Sequence, residues 1–190
     1  RLSDAMSLEP WNNDIDYGNN MGLSSRKEGV DNMIFQTEIH KSFYSYTVTI
    51  DLDKIGIDPN DNIKIDINEK KRRVSLLLDA VKILYRDIKG RREDLSPVFV
   101  IGGIYNSGNP FFYNKANLNF GREVIKIVVE PINDILKRQF NGQTVKDNTL
   151  IGHLAGTFSN INEIDLPQEK KLSIDDFFTK IKDKLNEVYR

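Results

Sequence analysis

The hydrophobic period of this chain changes twice between Ser45 and Tyr105, and that switch limits the folds open to it. Ser45–Asp53 alternates, with Tyr46, Val48, Ile50 and Leu52 on one side and Ser45, Thr47, Thr49 and Asp51 on the other. A period of two predicts a half-buried strand. From Asn68 to Gly90 the period lengthens. Val74, Leu77, Leu78, Val81, Leu84, Tyr85 and Ile88 recur at three- and four-residue steps. That spacing predicts one apolar stripe on a helix capped by Asn68 and stopped by Gly90, with Arg72, Ser75, Asp79, Lys82, Arg86 and Lys89 on its solvent side. Val98–Tyr105 then predicts a strand buried on both faces. The expected unit is β-α-β, which places the chain among folds that mix strands with helices.

Charge makes this unit more than scaffold. Between Glu69 and Arg92 lie nine basic residues (Lys70, Lys71, Arg72, Arg73, Lys82, Arg86, Lys89, Arg91 and Arg92) against three acidic ones (Glu69, Asp79 and Asp87). The whole chain is −1, so one short stretch concentrates the positive charge. A polarised chain of this kind predicts a local electrostatic site, although a basic solvated helix face gives the same count.

Outside that unit the sequence is plainer. A chain of 190 residues suits one domain and can build a core without disulfide or metal. It has no cysteine, which excludes disulfide scaffolds and thiolate chemistry and fits a reducing cytoplasm. No apolar run has the length to cross a bilayer. The first residue is Arg, and the expectation is a chain that begins inside a longer protein. Glu9–Asn20 has loop chemistry, with Trp11 as an anchor or a stacking platform. Arg26 and Lys27 sit in a polar loop suited to phosphate contact. Ile34–His40 predicts a short strand, and His40 and Lys41 precede the aromatic group Phe43, Tyr44 and Tyr46. Gly102-Gly103 predicts a bulge or a close backbone approach. Val124–Val129 predicts a strand, Ile132–Phe140 a helix with Pro131 in its first turn, and Ile151–Leu154 a short strand. Ser173 predicts an N-cap for a terminal amphipathic helix.

Signals for catalysis are sparse. His40 and His153 have no zinc-ligand spacing, and no phosphate-binding loop, nucleophile elbow or dinucleotide fingerprint is present. Asp14 with Asp16, or Asp51 with Asp53, would share a face in an extended strand. Such pairs leave open a metal-dependent ribonuclease. No cofactor is expected.

Four segments together resemble the DevR-type CRISPR-associated autoregulator family: Ser7–Pro10, Tyr44–Asp53, Leu84–Pro97 and Val100–Tyr105. The resemblance covers most of residues 1–130. It implies an α+β fold with a modified ferredoxin-like sheet, similar to an RNA-recognition motif, with helices on one face and inserted loops. It implies one domain over residues 1–190, with a thumb- or finger-like insertion at 1–42, a sheet core at 43–140, and a loop and terminal helix at 141–190. The family's leading strand is missing here, so an N-terminal truncation is expected. The resemblance further implies a non-catalytic backbone subunit of a type I-B Cascade complex in antiviral defence. Its partners would be CRISPR guide RNA, copies of itself and other Cascade subunits, in the cytoplasm and without a membrane. Any guide must be accepted, so contacts to phosphate should dominate. The candidate residues are Arg26, Lys27, His40, Lys41, Arg86, Arg91, Arg92, Lys115 and Arg122. A regulatory protein-interaction module is the third reading.

Overall fold

The computed structural model describes residues 1–10, 14–19, 26, 34–88, 90–122 and 124–190, with the backbone alone for Asp14 and Ile39. Trp11, Lys27 and Lys89 lie outside the described residues. The chain divides into two compact units, Ala5–Ser45 and Arg1–Asp4 with Tyr46–Arg190.

In the smaller unit, β1 (Met6–Ser7) pairs antiparallel with β4 (Tyr44–Ser45). A ribbon of β2 (Asp14–Asn19) and β3 (Ile34–Ile39) lies between them in sequence. β3 follows the expectation. β2 corrects it, because its residues have the composition of a loop. Ile15 and Tyr17 alternate with Asp14, Asp16 and Gly18, and the alternation outweighs the turn preference of Asp and Gly. Phe35 stands opposite Gly18 with its ring over the glycine, where a Cβ would come within 2.3 Å of it.

The larger unit holds all but the first residue of the segment expected as the strand Ser45–Asp53. Only part of it pairs. Ser3 N–H donates to Thr47 O and Thr49 N–H to Arg1 O, at 3.0 and 2.9 Å, around a bridge between Leu2 and Val48. Leu52–Lys54 then turns into a 3-10 helix. A partner of three residues is too short to carry a full strand. After the hairpin β5 (Ile57–Asp58) and β6 (Ile63–Lys64), helix α1 runs Ile67–Lys82. Its cap is Asp66, whose Oδ1 accepts the N–H groups of Asn68 and Glu69 at 2.8 and 3.0 Å; Asn68 is already inside the helix.

The helix ends eight residues before Gly90. β7 (Tyr85–Ile88) and β8 (Arg91–Asp94) form an antiparallel hairpin instead. Gly90 lies in its turn at φ +75°, a conformation that glycine adopts without strain. Opposite charges meet across the hairpin, Arg86 with Glu93 and Asp87 with Arg92, and such pairs favour strand register over helix.

β9 (Phe99–Gly103) follows, then the pair β10 (Leu118–Phe120) and β11 (Ile125–Ile127), and α2 (Val129–Leu136). β12 (Gln139–Phe140) and β13 (Gln143–Thr144) join through Asn141-Gly142, both at positive φ, the signature of a type I′ turn. α3 (Val145–Asn148) leads directly into β14 (Thr149–His153), and β15 (Lys171–Ser173) leads into α4 (Ile174–Val188). Ser173 caps α4 as its sequence predicts, accepting Asp176 N–H.

The main sheet has the order β15-β14-β9, with β14 parallel to β15 and antiparallel to β9. β9 is therefore an edge strand and only half-buried along its length, and it does not close a β-α-β unit. Layers cover both sheet faces, where helices on one face are expected. Leu150 and Val100 pack with Phe177, Phe178 and Ile181 of α4 and with Leu78 and Val81 of α1. Ile151 packs on the other side with Ile132 and Leu136 of α2, Ile127, Phe158 and Ile164. The architecture is α+β. Among the described residues, no helix is long and apolar enough to cross a membrane.

Candidate nucleic-acid interface

Helix α1 spends much of its positive charge inside the fold. Lys70 is buried. Lys82 bonds Asp175 of α4 at 2.8 Å, and Lys182 of α4 bonds Asp79 at 2.5 Å. Asp79 and Lys82 therefore face α4, a correction to their expected place on the solvent side. Leu76 and Leu77 face out instead, 54% and 43% exposed. Arg72 and Arg73 both donate to Glu69, at 2.7–2.9 Å. Those guanidiniums hold the Glu69 carboxyl at about 2. Its folded value lies below its ordinary value of 4.5, so its contribution to stability is complete above about pH 4.5 and is lost as pH falls toward 2. Both arginines are exposed and Glu69 is only half-buried, so the contribution is modest and weakened by salt. Chemical denaturation between pH 5 and pH 2 checks this. The parent should lose stability over that window, and the loss should be smaller in Glu69→Gln.

The β7–β8 hairpin is different, because its cations stand in solvent. Tyr85, Arg86, Asp87, Ile88, Arg91, Arg92 and Asp94 are all exposed. Arg86 Nε bonds Glu93 at 2.6 Å, and Arg92 makes a bidentate bond to Asp87 at 2.9 and 3.0 Å. The Arg92 guanidinium also lies 4.9 Å from the centroid of the Tyr85 ring. Arg91 has no ion-pair partner among the described residues. With Arg86 56% and Arg92 70% exposed, these pairs contribute little to stability. A phosphate oxygen can therefore replace Asp87 or Glu93 at small cost. The corner is neither buried nor wholly free. It is a solvent-exposed ribbon whose arginines are held ready by weak intramolecular pairs.

The structure thus brings Arg86, Arg91 and Arg92 together on one ribbon. Lys115 is half-buried after a turn at Phe112, and Arg122 is exposed in the turn between β10 and β11. Arg26, His40 and Lys41 belong to the smaller unit. Arg26 and Lys41 are exposed, while His40 is half-buried with its Nδ1 2.7 Å from the Tyr44 hydroxyl. Tyr85, by spacing part of the apolar stripe of a helix, emerges as an exposed ring under Arg92. The signal for it lies in the alternation on either side of Gly90, with complementary charges flanking it. Among the described residues, no group of three or more His, Asp or Glu comes together in a way that could hold a metal. Asp51, one of the expected carboxylate pair with Asp53, lies within ion-pair distance of Arg1 and Lys54.

Residues 3–119 match the family model of the CRISPR-associated negative auto-regulator DevR/Csa2. The chain belongs to that family. Membership in DevR/Csa2 gives it a CRISPR-associated role, and the matched residues include α1, the β7–β8 hairpin and β9. No curated protein and no solved structure matches the chain.

Proposed function

We propose that this DevR/Csa2-family chain is a non-catalytic, guide-RNA-binding backbone subunit of a type I-B Cascade complex. The observation that carries the reading is the exposed hairpin that presents Arg86 and Arg91 on one face and Arg92, over the exposed Tyr85 ring, on the other. Guanidiniums neutralise phosphates in any sequence, and a tyrosine ring can stack on any base. That chemistry suits a subunit that must accept every guide. Copies of the chain would polymerise along the RNA, with other Cascade subunits as partners, in the cytoplasm. Arg26, Lys27, His40, Lys41, Lys115 and Arg122 would supply further backbone contacts. The sheet would serve as a modified ferredoxin-like platform, with residues 1–42 as a thumb- or finger-like insertion.

Fluorescence anisotropy of the full chain with single-stranded RNA, over a salt series, tests this. Affinity should fall steeply with salt. Replacing Arg86, Arg91 and Arg92 by Gln should reduce the log–log slope by about 0.7 for each phosphate no longer neutralised. Asp87→Asn with Glu93→Gln should tighten binding, because the arginines then have no competing carboxylates. Unchanged slope and affinity in both variants would remove the hairpin from the interface.

A further inference from the structure

A second group of cations lies beyond residue 119, outside the family match. It gathers lysines from α3, from the segment before β15, from β15 and from α4. Lys170 Nζ donates to the backbone oxygens of Lys146 and Asp147 at 2.9 and 2.8 Å, in the last turn of α3. Lys171 Nζ donates to Asn162 O at 3.0 Å, and Lys180 Nζ to Glu169 O at 3.2 Å. Lysines are ordinarily anchored on carboxylates, which fix the ammonium and cancel its charge. These three are anchored on carbonyl oxygens, which fix the ammonium without pairing it directly with a carboxylate. Lys184 follows Lys180 by one turn of α4, on the same helix face. Burial and the adjacent Lys170 and Lys180 push its ammonium below the usual lysine range, only partly opposed by Glu187. Like charges held this close are stabilised when an anion enters among them. Of the neighbouring carboxylates, Asp165 is bonded to Lys146 at 2.5 Å and Asp147 accepts the backbone N–H of Thr144 in a capping box. Each still feels one lysine of the group, Asp165 that of Lys171 and Asp147 that of Lys170, while Lys180 and Lys184 lie beyond them on α4.

We propose that Lys170, Lys180 and Lys184 form a second phosphate-binding surface, which holds the backbone of a single-stranded nucleic acid. The identity of the polyanion rests on the RNA reading above; the existence of an anion site does not. The surface extends the contact with RNA past the hairpin and into the part of the chain that the family match leaves uncovered.

Two arms on the full chain separate these claims. In the first, RNA affinity is followed over a salt series for Lys180→Gln with Lys184→Gln, beside the hairpin variant. The lysine variant should bind at least threefold more weakly at low salt, with a slope smaller by about 1.4. An unchanged slope, while the hairpin variant loses its share, would overturn the second surface and leave the RNA reading intact. In the second arm, inorganic pyrophosphate is titrated into the parent protein while the lysine Cε resonances are followed by NMR. Selective shifts at Lys170, Lys180 and Lys184 support the site. Their absence would overturn it, even if the parent binds no RNA and the reading above has failed. Competition by a polyglutamate peptide as effective as RNA of equal charge would also overturn it, since the surface would then serve an acidic protein.

Discussion

Gly103→Ala lowers the melting temperature by about 6–12 °C, whereas Gly102→Ala, one residue earlier on the same strand, leaves it nearly unchanged. A Cβ on Gly103 would fall 1.9 Å from Asn148 O and 2.9 Å from its carbonyl carbon, while a Cβ on Gly102 meets nothing within 4 Å. Neither side of this close approach can retreat easily. Asn148 ends α3 and passes directly into β14, and Thr149 beside it is fully buried. Thr149 Oγ1 is 2.7 Å from Val145 O and 2.8 Å from the Tyr105 hydroxyl, whose burial pushes its own pKa up to about 12. Relief must come from parting β9 and β14, the ladder on which both halves of the core rest. Overpacking of this kind costs about 3 kcal/mol, and a domain of this size loses about 2–4 °C per kcal/mol. Calorimetry on the two variants checks the contrast. Equal melting temperatures would show that the approach is looser than the backbone geometry requires.

Asn160→Leu has the second large effect. The Asn160 side chain acts as a short strand for Ile127: its Oδ1 accepts the Ile127 N–H and its Nδ2 donates to the Ile127 carbonyl, both at 2.9 Å. Ile127 is 2% exposed and Asn160 5%, so water cannot take over either bond. Leucine has a similar volume but leaves a buried donor and a buried acceptor without partners. Each orphaned group costs about 1–3 kcal/mol, so the expected loss for the two is about 2–6 kcal/mol. Denaturant unfolding measures it directly. A loss below about 1 kcal/mol would mean that the β11 backbone finds other partners.

The readable parts of this chain are those whose causes are local. Ser173 followed by acids marks the start of α4, and the glycine pair in β9 marks a close backbone approach, which proves to be at Gly103. Asn141-Gly142, by contrast, turns a hairpin where the sequence predicts the end of a helix Ile132–Phe140. Other features depend on residues far away in sequence. Asp79 and Lys82 look like solvent-side charges because their partners, Lys182 and Asp175, lie about a hundred residues on; the apolar stripe holds at Val74, Leu78 and Val81 but not at Leu77, which is exposed. β14 is the central strand, yet Gly152 interrupts its short apolar run and leaves it little strand character in sequence. Its burial comes from α2 and α4 closing over opposite sides of the sheet. The hairpin is hidden for a subtler reason. Leu84, Tyr85 and Ile88 continue a helical stripe by spacing alone, and only the charge pairs across Gly90 favour two strands. Of the nine candidate residues, that correction moves Arg86 from a helix onto the same exposed ribbon as Arg91 and Arg92.

The account depends most on indifference to base sequence. The direct measurement is the affinity of the full chain for two unstructured single-stranded RNAs of equal length, one purine-rich and one pyrimidine-rich, at several salt concentrations. Binding carried by arginine–phosphate contacts predicts affinities within a few-fold of each other and parallel, steep losses with salt. A strong preference for one RNA, or binding that does not change with salt, would contradict it.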